Sequence, residues 1–308
     1  MPFTEPSFRS FWVPVAFGLV CVLWGSVFLA IRVGVETMPP FLMGGIRFLA
    51  SGAVMLLLSL IEHEKRRISL IDALYAIVVG VFLWFGANGL LMIGEQTVPS
   101  GLTALIWALI PIWIAVIEVA SGSRERLDFM GGLGIVLGFA GVATLVLPNL
   151  LTQSLSVAFG ELLVVGATLC WSMGTLISRR HNYQTPLFLL TSVQCFAGGV
   201  PMTLVSIYLN EWRGEVIASV APIAWWALGY LIVFGTSIAF TAYMYLLRNV
   251  PASRVVTYTY VLPVIALVFG GVILGETLTI WIFAGTIIIL AGLTLVHHIH
   301  LGIGKQRH

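Results

Sequence analysis

Charge is what this chain has least of. Of its 308 residues only 9% are Asp, Glu, Lys or Arg, against about 25% in soluble domains. A soluble fold of this length has no way to cover itself with so little polar surface, so lipid is the expected solvent. The net charge of +2 is too small for a nucleic-acid partner. Cysteine is also scarce. Cys21, Cys170 and Cys195 sit in apolar runs, and an odd number without metal-ligand spacing argues against a disulfide framework or a zinc site. They read as small core residues. Catalytic patterns are missing: there is no HExxH and no GxSxG. No enzyme activity, cofactor or metal is expected. The run His297, His298, Ile299, His300 reads as interfacial histidines rather than a metal site. No Asp or Glu falls in the middle of a long apolar run, so exchange of substrate for protons on a central carboxylate has no support.

What the chain has is apolar runs of membrane length. They fall near 14–35, 41–61, 72–92, 98–120, 129–148, 159–179, 186–209, 222–246, 250–274 and 280–298, each about 20 residues, enough to cross the hydrocarbon as a helix. The first is too long, and too interrupted by Trp24, Ser26 and Arg32, to be a cleaved signal peptide. One alternating set of segments holds Arg9, Lys65, Arg66, Arg67, Arg124, Arg126, Arg179, Arg180, Arg248, Lys305 and Arg307; the other holds Arg213 alone. By the positive-inside rule both termini are cytoplasmic, which requires an even number of spans, and ten satisfies it.

The two halves echo each other. A shift of 147 places Trp24 on Trp171, Arg32 on Arg179, Pro39 on Pro186, Phe41 on Phe188 and Arg47 on Gln194. A shift of 152 brings "VPSG" at 98 to "VPAS" at 250 and Pro111 to Pro263; a shift of 151 brings Glu125 to Glu276 and Gly141 to Gly292. Five spans per half is odd, so the halves are expected to be inverted in the membrane, an arrangement that secondary transporters use around a site near the midplane. The expected fold is all-α integral membrane, ten transmembrane helices in two inverted five-helix repeats, residues 1–148 and 149–308.

The segments "LWGSVFLAIRVGVETMPPFLMGGIRFLASG" (23–52), "VPSGLTALIWALIPIW" (98–113) and "AYMYLLRNVPASRVVTYTYVLPVIALVFGGVILGETL" (242–278) resemble the EamA group of the drug/metabolite transporter superfamily, in its YedA-like branch. The resemblance spans essentially the whole chain. It implies a central cavity lined by spans 1–4 and 6–9, with spans 5 and 10 peripheral. It also implies a multi-pass protein of the bacterial inner membrane that exports small metabolites, amino-acid-like or other small organic solutes. Import or exchange, and a non-transporting assembly or sensor role, are the alternatives.

Trp24, Trp107 and Trp171 lie near the middle of their spans, where an interfacial anchor has no place and an indole N–H facing lipid lacks a partner. They read as walls of a substrate cavity or as buried packing. Asn88, Gln194, Tyr243, Tyr258 and Tyr260 add hydrogen-bonding groups suited to a small-molecule site. Arg47 lies inside span 2, where a bare cation is costly. With Arg32, Glu36, Glu95 and Glu161 at the same level it suggests a buried ionic cluster, as an outer gate or a structural latch, with a substrate carboxylate as a further partner for Arg47. Snorkelling is the other account of Arg32 and Arg47. Pro111 and Pro263 mark bends that serve as hinges or as static kinks. Gly134, Gly138 and Gly141, with Gly285 and Gly292, form small-residue faces that fit internal packing or a homodimer seam.

Overall fold

The computed structural model describes residues 6–61, 68–121, 129–152, 155–250, 255, 258–276 and 279–303, with backbone alone at 6–10, 148–152, 244, 247–248, 260 and 296–303. Its elements, in chain order, are α1 (Pro6–Val35), α2 (Pro40–Ile61), α3 (Leu70–Gly94), α4 (Ser100–Ala120), α5 (Phe129–Thr152), α6 (Leu155–Arg180), α7 (Leu187–Tyr208), a short α8 (Gly214–Ser219), α9 (222–249), α10 (Tyr258–Leu274) and α11 (Ile280–Ile303). Among the described residues every regular element is helical. Eight helices, α1 to α7 and α9, are long and apolar enough to cross a bilayer; α10 and α11 contribute shorter apolar stretches, Val261–Leu274 and Ile280–Leu295. Both stretches stop at residues whose side chains are not described. The basic segments 62–67 and 124–126, Arg254, and the side chains of Arg248 and of the histidines at 297, 298 and 300 also lie outside the described residues.

The helix starts follow local chemistry. Proline supplies the first residue of α2 and α9, where its missing N–H costs nothing. The Ser69 hydroxyl caps α3 by accepting the Asp72 N–H at 3.0 Å.

The glycine faces are used inside the chain. A Cβ on Gly292 would meet the Gly134 carbonyl oxygen at 2.7 Å, and one on Gly141 the Ile289 nitrogen at 2.9 Å. Helices α5 and α11 therefore pack backbone to backbone, the close approach that van der Waals packing in lipid requires.

Three helices depart from α-geometry, and each does so at the centre of the bundle. Helix α3 is π-helical over Val81–Ala87 and α9 over Leu231–Ile238. These segments begin 150 residues apart, at 81 and 231. Helix α4 runs Ser100–Trp107, breaks at Ala108 and Leu109, and resumes over Ile110–Ala120 with Pro111 in its first turn. A proline there offers no N–H to the carbonyl four residues back, that of Trp107, so the break falls where the ladder is already interrupted.

Candidate functional site

The three irregular segments surround one cavity. Its space not filled by protein atoms, mouth included, is about 900 Å³, within the range of small-molecule sites. Trp24, Val27 and Phe28 of α1 face it, with Trp84, Asn88 and Leu91 of α3, Ala104, Trp107 and Pro111 of α4, and Trp171 of α6. Gly235, Thr236 and Phe240 of α9 and Tyr258, Thr259 and Pro263 of α10 complete the wall, and Arg47 enters from α2. Five helices thus meet around it, and α2 and α6 contribute a single side chain each.

The wall around Trp24 is hydrogen-bonded. Its indole N–H donates to the Gly235 carbonyl at 3.2 Å. That acceptor lies within the π-helical part of α9, a geometry frequent at functional sites. The Trp24 ring meets Tyr243 at 5.1 Å and Tyr258 at 5.0 Å between centroids, and the two tyrosines meet each other at 5.8 Å. Trp24 is held in place from three sides.

A second wall is a chain of rings. Phe48, Trp84, Trp171, Trp107 and Phe28 follow one another at centroid distances of 5.0, 5.7, 5.4 and 5.9 Å. Edge and tilted contacts of this kind are favourable beyond area burial. The Trp84 Nε1–H is buried without a hydrogen-bond partner among the described residues.

Arg47 is 3% exposed. Its guanidinium carbon sits 4.9 Å from the Phe48 ring centroid, and its NH1 reaches Asn88 Oδ1 at a long 3.5 Å. Its Nε has no partner among the described residues. The Asn88 amide is oriented from behind: its Nδ2 donates to the Leu83 carbonyl at 2.8 Å, again within a π-helical turn.

Not all candidate residues converge. Trp24, Asn88, Trp107, Trp171, Tyr258, Arg47, Pro111 and Pro263 share the cavity. Tyr243 stands one layer behind Trp24 and Tyr258. The Tyr260 side chain lies outside the described residues. Gln194 is buried elsewhere, on the face of α7 that packs against Gly80 of α3: a Cβ on Gly80 would lie 2.8 Å from the Gln194 Cα. Its match to Arg47 in the repeat does not carry over to position, because α7 turns this residue toward a helix seam.

The expected ionic cluster takes a different form. Glu36 is exposed and lines a surface depression with Thr37, Gln96 and Glu211; it lies past the end of α1, where water reaches it. An Arg32 NH1 donates to the Glu95 backbone carbonyl, one of the carbonyls a helix C-terminus leaves open. The Glu95 carboxylate is fully buried and accepts no hydrogen bond among the described residues, while Arg32, Arg47 and Glu276 act on it through space. Glu161, on α6, is also fully buried.

The same end holds two carboxylates that sequence reasoning missed as caps. Glu276, between α10 and α11, accepts the Ser100 N–H at 2.7 Å, the Ser100 hydroxyl at 2.8 Å and the Gly101 N–H at 3.0 Å. Glu211 accepts the Leu42 N–H at 2.8 Å, and burial pushes its carboxyl above the usual range. Both satisfy open amides at helix N-termini and complement the dipole there. At the other end Asp72 accepts the Thr185 hydroxyl at 2.6 Å, its N–H at 3.1 Å and the Gln184 N–H at 3.2 Å, beside His181 Nε2 at 2.7 Å. A sequence signal existed for Glu276, which matches Glu125 in the repeat. For Trp84, the mid-span criterion applied to the other tryptophans would have sufficed.

Among the described residues no cluster of His, Cys, Asp or Glu is placed to hold a metal. The bundle and its cavity define a class: a helical, multi-pass membrane protein with a solute-sized central chamber. A model of the EamA-like transporter family matches residues 11–147 and again 158–297. The chain belongs to that family and is a membrane transporter, not an enzyme. It is similar to "Uncharacterized inner membrane transporter YedA" of Escherichia coli K12, at 32% identity over 87% of this chain and 85% of that one. It is similar to "Probable amino-acid metabolite efflux pump" of Salmonella typhimurium LT2, at 28% identity over 89% and 91%. It also resembles "Uncharacterized transporter YoaV" of Bacillus subtilis 168, at 26% identity over 91% and 96%. A solved structure described only as "Crystal structure of protein" shares its fold with a TM-score of 0.63 and 20% identity, covering 92% of this chain and 96% of that one.

Proposed function

We propose that this protein exports small organic solutes by alternating access around the central cavity. It is built as two inverted five-helix repeats, residues 1–148 and 149–308, with ten spans and both termini in the cytoplasm. The observation that carries this reading is the cavity itself: Trp24 and Trp171, matched by a shift of 147, both face it. The π-helical segments, which begin 150 residues apart, support the repeat. Broken and re-pitched helices at a site between repeats are what alternating access uses, and Pro111 and Pro263 are the proposed hinges. The name of the Salmonella relative, an amino-acid metabolite efflux pump, favours export and small solutes derived from amino acids.

The test is flux. Inside-out vesicles containing the protein, loaded from a labelled extract of cell metabolites, should accumulate a defined set of small solutes. Vesicles carrying the double variant Trp24→Ala, Trp171→Ala should not. Identical contents by mass spectrometry would overturn the transport role assigned to this cavity. Orientation is tested separately. Single cysteines at Ser69 and Asn149, labelled from outside intact cells, should be protected and reactive respectively; the reverse pattern would invert the topology, whose basis is the Lys/Arg distribution.

A further inference from the structure

Resting on the reading of the cavity as the substrate site, we propose that it selects organic monoanions, with a carboxylate set against Arg47 and an apolar or aromatic body between the Trp24 wall and the Trp84–Trp171–Trp107 wall. The charge inventory is one-sided. Among the described residues lining the cavity Arg47 is the one charged side chain, and no Asp or Glu lines it. A buried cation without a paired anion is expensive. Arg47 has no carboxylate within ion-pair distance among the described residues, and its one hydrogen bond, to Asn88, is long. Glu95 acts on it only through space and is shared with Arg32. The cation is thus steadied and left unneutralised.

Asn88 cannot take over the anion's role. It is neutral, and its Nδ2 is committed to the Leu83 carbonyl, which keeps Oδ1 turned toward Arg47. A ligand carboxylate would meet a planar fork whose geometry matches its own. The remaining wall is mostly ring and aliphatic surface, with unpartnered donors at Trp84 Nε1 and the Thr236 hydroxyl. Aromatic faces also attract ammonium groups, but here an ammonium would share the cavity with a guanidinium that has no paired carboxylate. A zwitterion therefore binds less well than the same acid without its amine, and an amine less well still.

The experiment uses the full-length purified protein and matched probes: 3-phenylpropionate, 3-phenylpropionamide, 3-phenylpropylamine and phenylalanine, with indolyl and branched aliphatic sets of the same design. Binding is read by quenching of tryptophan fluorescence and by native mass spectrometry. The acid should bind roughly tenfold or more tighter than its amide, the strength of a charge-assisted over a neutral contact. Arg47→Gln should bring the acid down to the amide's affinity, and Arg47→Lys should keep part of the preference. If Arg47→Gln fails to fold, the Lys variant and the wild-type acid-to-amide ratio still decide. Amide or amine bound as tightly as the acid overturns the anion proposal, while competition among those probes still leaves the cavity as the site. No binding by any probe set overturns the cavity as a solute site, and the anion proposal with it.

Discussion

Trp24 and Trp171, matched in sequence by a shift of 147, stand in two walls of the cavity that are built on different physics. Trp24 is fixed by a directed hydrogen bond to the Gly235 carbonyl and by two tyrosines. Trp171 stands in a run of rings, between Trp84 and Trp107, and its indole donates no hydrogen bond among the described residues. A hydrogen bond fixes orientation, whereas ring-on-ring contact tolerates sliding and tilt at little cost. The contrast suggests an abutment facing an adaptable surface. Bound solutes should then be accommodated mainly by movement of Trp84, Trp107 and Trp171.

The strongest way to break this comparison is to remove each ring. Trp→Ala in a packed interior costs about 3–5 kcal/mol. Trp24→Ala should lose roughly 1–2 kcal/mol more than Trp171→Ala, because both forfeit two ring contacts and Trp24→Ala forfeits a buried hydrogen bond besides. Thermal unfolding of the two variants in the same detergent checks this. Equal destabilisation would mean that the walls are alike. Both variants should weaken binding of the best aromatic acid severalfold in the protein that remains folded.

A second perturbation pushes on the adaptable wall from behind. A Cβ on Gly198 of α7 would lie 3.0 Å from the Phe85 nitrogen and 3.1 Å from the Trp84 carbonyl carbon. Gly198→Ala therefore overpacks the backbone under Trp84, at a cost of about 1–3 kcal/mol. The control is Gly166→Ala on α6, whose added methyl would meet only Leu90 Cδ1 at 3.5 Å, and which should be near neutral. The expected reading is lower thermal stability and altered ligand affinity for Gly198→Ala alone. A neutral Gly198→Ala would show that the Trp84 wall yields without cost.

Much of this site was legible in the residues. A mid-span tryptophan or asparagine has few comfortable places in lipid, so Trp24, Asn88, Trp107 and Trp171 were found by the cost of putting them anywhere else. The same argument covers Trp84, whose buried indole faces the cavity as the other three residues do. Gln194 shows the limit of sequence matching between the halves: the face a residue turns inward depends on how α7 packs on α2 and α3. The carboxylate caps were harder to see, since Glu276 reaches Ser100 across 176 positions of sequence. The π-helical segments were invisible, because no residue pattern separates Val81–Ala87 from an α-helical apolar run. Both supply the carbonyls, Leu83 and Gly235, on which Asn88 and Trp24 depend.

The smallest and sharpest test isolates that hydrogen bond. Trp24→Phe keeps an aromatic ring beside Tyr243 and Tyr258 but removes the indole N–H, leaving the Gly235 carbonyl in a re-pitched turn without its donor. Leaving a buried acceptor unpaired costs about 1–3 kcal/mol. Trp171→Phe makes the same change of ring size where no hydrogen bond is lost, so it reports the packing term alone. The difference between the two unfolding temperatures isolates the bond from the ring. A larger drop for Trp24→Phe is expected. Equal drops in the two single variants would show that the Trp24–Gly235 bond adds nothing beyond packing, and the distinction between a fixed wall and an adaptable one would fall with it.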